Sequence, residues 1–233
     1  MKLTRILLLL AGVVAAPAIA QPDLSGFWSP EPYAAHTPTA QLADSLPAEA
    51  LAEQAAHDEY AVRWCNAIGM PAMMEDTLDI RQTGRFMVIA SQAYSFARYV
   101  YFDLPARDPL IIDLTSVGHS DGRWDGDTLV VDSYAFAGYD PSYEREYQEI
   151  RGLIAIPGGG FRTPESRLTE RFSLTNDGNV LVVESTWRDP TVFARAHTYK
   201  RRYLRREASF EPPRRLYCDP FDAERAAYLE ASQ

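Results

Sequence analysis

Apolar and polar residues alternate along most of the chain beyond residue 78, a period of two that predicts strands with one buried face. Leu78 to Gln82, Arg85 to Ser91 and Ser95 to Asp103 are β-rich runs divided by Thr83-Gly84 and Ala93-Tyr94, which predicts a three-stranded meander. Ser166 to Thr175 and Asn179 to Trp187 flank Asp177-Gly178 and predict a hairpin with Arg171 opposite Glu184. Its other face holds Leu168, Glu170, Phe172, Leu174, Leu181, Val183 and Trp187. Glu170 is thus a carboxylate in an apolar row, where burial calls for a cation. Ala194 to Leu204 reads as a last strand with Arg195, His197, Tyr199 and Arg201 on one side, and Asp23 to Trp28 as a short first one. The pattern changes to a four-residue step over Pro47 to Trp64, where Ala52, Ala56, Tyr60 and Trp64 form the packing stripe of one substantial helix. Asp219-Pro220 opens a short terminal helix to Ala231, within a tail spanning residues 205–233.

The densest chemistry lies in Gly118 to Ser133, which predicts another hairpin. Asp125-Gly126 suits a two-residue type I′ turn, and Thr128 to Val131 is a β-branched run. That turn sets Trp124 against Asp127, Arg123 against Thr128, Asp121 against Val130 and His119 against Asp132. His119, Asp121, Arg123, Thr128 and Asp132 share one face, while Trp124, Leu129 and Val131 share the other. Directly opposite residues have Cβ atoms about 4.5–5.5 Å apart, close enough for Asp132 to hold the His119 imidazole in one tautomer. Such a pair is either a structural lock on the hairpin or an oriented base, with Arg123 placed to hold an anionic group. Gly118-His119-Ser120-Asp121-Gly122 also fits the G-x-S-x-G pattern of a nucleophilic serine. A hairpin follows instead of a helix, and Ser120 points away from His119, so the serine-hydrolase reading lacks its context.

Residues 135–165 form a long connection with five aromatics, Phe136, Tyr139, Tyr143, Tyr147 and Phe161, around Gly158-Gly159-Gly160. A segment of this length and composition reads as a lid with a glycine hinge, since the triplet lacks the Lys-Ser/Thr of a phosphate loop. Strands joined mostly by tight turns, eight or nine in all, predict a mainly β antiparallel meander that pairs two sheets or closes on itself.

Composition narrows the function classes. Lys2 and Arg5, the apolar run Ile6 to Val14 and Ala18-Ile19-Ala20 have the form of an export signal over residues 1–20, leaving a single domain over 21–233 that is periplasmic or secreted. No later segment is apolar enough to span a bilayer. The formal charge of −9 becomes two units more negative once Lys2 and Arg5 are removed, a field that does not seek nucleic acid. Arg195, Lys200, Arg201, Arg202, Arg205 and Arg206 run against it, as a solvated strand end, as an anion site or as a surface for cell-wall material. Cys65 and Cys218 sit in a chain read as exported and are expected to be bridged, an enclosed loop worth roughly 4–5 kcal/mol. Four scattered histidines, His36, His57, His119 and His197, show no metal-ligand spacing, and no cofactor motif is present.

Two resemblances extend this reading. Gly26-Phe27-Trp28 on the first strand with arginines on the last resembles the lipocalin-like barrel, in which a G-x-W tryptophan packs across the barrel base under a late arginine. More of the chain resembles a large family of exported bacterial proteins of unknown function. The residues concerned are Cys65 with Gly69-Met70-Pro71, Leu78 to Thr83, the central run Gly118 to Asp132, Thr169 to Phe172, Thr186 with Asp189-Pro190, and Tyr217-Cys218. That family implies no activity to carry over. The expectation is therefore a closed or nearly closed lipocalin-like barrel binding a small apolar or aromatic molecule in its cavity. Arg123, Asp121, Trp124, Arg81, Arg98 and His197 are the expected ligand-binding residues. The alternative is a lyase, isomerase or hydrolase using His119 with Asp132 or Glu170 in the same cavity.

Overall fold

The computed structural model describes residues 21–31, 37–63, 69–91, 96–102, 113–138, 154–207 and 209–211, with side chains omitted over 60–63. In chain order the elements are β1 (Gly26–Pro30), α1 (Ala48–Arg63), a 3₁₀ turn (Ala72–Glu75), β2 (Leu78–Gln82), β3 (Phe86–Ser91), β4 (Phe96–Phe102), β5 (His119–Asp125), β6 (Thr128–Tyr134), β7 (Arg167–Thr175), β8 (Val180–Arg188) and β9 (His197–Arg205). The nine strands close into one barrel in sequence order, with β1 paired to both β2 and β9. The expected terminal helix, both cysteines and residues 139–153 of the long connection lie outside the described residues.

Eight of the nine pairings are antiparallel, and β4 with β5 is parallel, so the barrel is mixed and not a pure meander. A tight turn can join only antiparallel neighbours, whereas the span from 103 to 118 returns the chain to the end where β4 began. Alternation then decides what the barrel encloses. Leu168, Glu170 and Phe172 on β7, Leu181, Val183 and Trp187 on β8, and Tyr199 and Tyr203 on β9 are all buried, and Arg171 pairs with Glu184 on the outer face.

The central hairpin has the expected faces but a different register. Its turn is Gly126-Asp127, with Asp125 paired to Thr128, because Gly126 takes φ 60° at the first turn position as a type II′ loop requires. Every pair is therefore displaced by two residues from the type I′ expectation. His119 faces Tyr134, and Asp132 faces Asp121.

One end of the barrel is closed by Trp28 under Arg205, whose guanidinium carbon lies 4.2 Å from the indole ring centre. Arg205 also donates to the Gly178 carbonyl at 2.8 Å and the Ser25 carbonyl at 2.7 Å, and Trp28 Nε1 donates to Leu24 O at 2.9 Å. A Cβ at Gly26 would stand 2.8 Å from Arg205 Nη1, which gives the glycine of G-x-W its reason. The opposite end is plugged by the buried Met70, Met73 and Met74. Fully buried Arg162 ties this plug to its neighbours by donating to the carbonyls of Met70, Ser116 (2.8 Å) and Ala137 (2.8 Å).

The described flanks of the long connection pack into this end through Phe136, Ile154, Ile156 and Phe161. The glycine triplet there is a turn tied by Ile156 N to Gly160 O and Gly159 N to Ile156 O, both 3.0 Å. Helix α1 departs from its expected face: Ala52 and Ala56 are exposed, whereas Ala50 and Gln54 are buried. Asp58 anchors it by accepting the amides of Ile154 at 2.9 Å and Ala155 at 3.2 Å.

Candidate functional site

Inside the barrel, beneath the methionine plug, sits a charge pair with no exposed surface. Arg98 on β4 reaches across β5 and β6 to Glu170 on β7, with Nη2 2.5 Å from Oε2 and both side chains 0% exposed. Its remaining donors are placed by strand register. Ser120 and Ser133 face each other across β5 and β6, 3.0 Å apart at Oγ. Arg98 Nε donates to Ser120 Oγ at 2.8 Å and Nη2 to Ser133 Oγ at 2.7 Å, while Nη1 points at Met70 Sδ, 3.7 Å away. Each of the three guanidinium nitrogens thus has a partner.

Glu170 is less well served. Its Oε1 is buried and accepts no hydrogen bond among the described residues, leaving Arg98 as the partner of the carboxylate through the other oxygen. Buried polar atoms without a partner are rare, and each one costs about 1–3 kcal/mol, more when charged. Ser185 pairs with Glu170 in the β7–β8 register, and Tyr199 pairs with Ser185 in the next, so a row of polar side chains continues from the carboxylate around the wall. Trp187 Nε1 donates to Tyr199 Oη at 3.3 Å. Burial pushes the Tyr199 and Tyr203 phenols well above their ordinary range, and Tyr203 Oη donates to the Met74 carbonyl at 2.5 Å. Glu75 at the plug is raised by burial against the opposing pull of its ion-pair partner Arg201.

Sequence reasoning placed a candidate base elsewhere, and the structure separates its parts. His119 and Asp132 do not face each other, because the turn lies one residue further along than Asp125-Gly126. His119 Nε2 donates to Asp113 O at 3.0 Å. Asp132 accepts from Arg123 and, at 2.8 Å, from Thr169 Oγ1, while Asp121 accepts from Tyr134 Oη at 3.0 Å. This is the outer wall, where the Arg123 and Asp132 side chains are 61% and 44% exposed. Glu170 stands on the other side of the sheet, so His119 and Asp132 share no cavity with it.

The remaining candidates divide between the two surfaces. Arg81 is outward, paired with Asp79 at 2.7 Å and lying over the Phe27 ring. His197 is buried at the plugged end, with Nε2 donating to Pro157 O at 2.6 Å and its ring between those of Phe193 and Tyr199. Trp124 faces inward near the turn end, and its buried Nε1 finds no acceptor among the described residues. Arg98 is inside, but as the partner of Glu170. Ser133, Tyr199 and the methionine plug were missed as site components. The signal that could have found Arg98's role was Glu170 itself, whose apolar row demanded a cation.

A cleft of about 690 Å³ also lies outside the barrel, between α1 and the 161–165 and 190–192 segments, lined by Leu46, Ala50, Phe161 and Val192 with Glu49 and Glu53 among its walls. Its buried carboxylate neighbour, Asp189, is fully engaged by Thr163 Oγ1 (2.6 Å), Ser166 Oγ (2.7 Å) and Thr191. Among the described residues, no buried side-chain atom lining this cleft is left without a partner as Glu170 Oε1 is. Among the described residues no three His, Cys, Asp or Glu side chains gather as metal ligands would. Compared with known proteins, the chain matches no family model and no curated protein.

Proposed function

We propose that this protein is exported and holds a small, largely apolar or aromatic molecule inside its barrel, anchored at Glu170. The observation that carries the reading is the orphaned Glu170 Oε1 in an enclosed, mostly apolar interior. A carboxylate buried with one oxygen unanswered is what a site has when its last donor comes from a ligand. The walls suit the rest of such a molecule: Trp187, Phe172 and Tyr199 offer aromatic surface around the polar row. Export rests on the charged start, apolar core and small-x-small cleavage site of residues 1–20.

The test is native mass spectrometry of protein recovered from the periplasm, joined to a thermal-shift screen of apolar and aromatic metabolites. A ligand at a hundred times its Kd stabilises the folded state by about 2.7 kcal/mol, a shift easily read in a melt. The expected result is a retained mass or a family of stabilising compounds whose effect is lost in Glu170→Ala. No retained mass and no stabilisation, in a screen that does shift an unrelated binding barrel, would overturn the reading.

A further inference from the structure

From the charge balance around Glu170 we infer that the ligand is a neutral hydrogen-bond donor, an alcohol, phenol or amide N–H on an apolar body, and that the barrel discriminates against carboxylic acids and amines of the same shape. This rests on the reading that the barrel interior binds a small molecule, and it names that molecule's chemical class. Arg98 is the cation paired with this carboxylate, and four of its five N–H donors are already committed: Nε to Ser120, both on Nη2 to Ser133 and Glu170, and one on Nη1 towards Met70 Sδ. An anionic head group would therefore add an unmatched negative charge beside a pair that is already balanced, at a depth where like charges repel far more strongly than in water. A cationic head group fares little better. It would have to sit beside a carboxylate whose charge is already matched by a guanidinium 2.5 Å away, leaving a net buried positive charge. A neutral O–H or N–H answers Oε1 without disturbing that balance. The neighbouring phenols reinforce the choice, because burial keeps Tyr199 and Tyr203 un-ionised and adds no charge to the row.

A site built to receive a donor also rejects the analogue that lacks it, because its own polar atom is then left unpaired. The experiment is isothermal titration of the full mature chain at neutral pH with two matched series. One is 2-naphthylmethanol, 2-naphthoate, 2-naphthylmethylamine and 2-methylnaphthalene; the other is decan-1-ol, decanoate and decylamine. The alcohols are expected to bind tightest, with the acid and the amine each at least about tenfold weaker. In Glu170→Gln the buried Arg98 loses its counter-charge, so the order of alcohol and acid should invert. An acid that binds the parent protein as tightly as its alcohol overturns the inference and leaves barrel binding standing. Failure of every compound in both series overturns both. If Glu170→Gln does not fold, the ranking on the parent protein decides alone.

Discussion

Removing Arg98 should destabilise the barrel more than removing Glu170, and removing both should cost less than either. The pair is fully buried, and deleting one partner of such a pair generally costs about 3–5 kcal/mol because the other charge is stranded. The structure ranks the two deletions. Without Glu170, Arg98 still has Ser120 and Ser133 as acceptors at 2.8 and 2.7 Å, so Glu170→Leu belongs near 3 kcal/mol on that scale. Without Arg98, Glu170 has no hydrogen-bond donor left among the described residues, while the two serines keep each other at 3.0 Å. Arg98→Met therefore belongs near 5 kcal/mol, a large share of the roughly 5–15 kcal/mol that holds a domain folded. In Arg98→Met/Glu170→Leu no charge remains, the serines satisfy each other, and the new apolar side chains lie beside their buried register partners Ile89 and Val131, so a loss of about 0–2 kcal/mol is expected. Urea unfolding of the four proteins, with equal m-values as the condition for comparison, yields the cycle directly. If the double variant costs the sum of the singles, the two side chains do not depend on each other and the interior site is misread.

Four further outcomes follow from other parts of the molecule. Burial raises both Tyr199 and Tyr203 in the folded state, so the stabilisation they contribute is whole below the unfolded value near pH 10 and is lost as pH rises towards their folded values; stability should fall progressively with rising pH above 10, and less steeply in Tyr199→Phe, as read by urea melts across pH 9–11.5. Arg205→Ala removes a ring contact and two charged hydrogen bonds and should cost about 2–4 kcal/mol, with Arg205→Lys recovering less than half, since lysine cannot reach both carbonyls in one plane; full recovery would discount the geometry at the barrel base. His119→Ala on the outer wall should change stability by less than about 1 kcal/mol and leave probe binding untouched; a binding defect would return the site to the central hairpin. Cys65 and Cys218 should resist alkylation in unreduced protein taken from the periplasm and react after reduction, and free thiols in that material would remove the proposed bridge.

Much of the barrel was legible because strand alternation and tight turns are local properties. The runs that became β2, β3 and β4, and the pairing of Arg171 with Glu184, follow from residues within about twenty positions of one another. The packing face of α1 was not legible in the same way, since Asp58 holds it to residues 154–155 by hydrogen bonds and the buried Gln54 donates to Asp58, contacts that no apolar stripe announces. Nor was the parallel pairing of β4 with β5, which depends on where a sixteen-residue span delivers the chain, not on any residue within a strand.

The central hairpin separates two kinds of information that the sequence carries with unequal strength. Which wall a side chain faces depends on parity, and a displacement of two residues preserves parity, so Ser120 and Trp124 point inward and His119 and Arg123 outward under either turn. Which residue it meets depends on the turn, and here Gly126 served at the first loop position with φ 60° where the second had been expected. A His119–Asp132 pair needed both to be right. The Glu170 site needed only parity, because its partner came from a strand three places around the wall, where closure of the barrel, and no local rule, set the 2.5 Å contact. An apolar row with one carboxylate in it therefore locates a buried ion pair from sequence more securely than a cluster of polar residues locates a facing pair: the carboxylate's burial follows from the row, and burial obliges the fold to bring it a cation from wherever the chain can supply one.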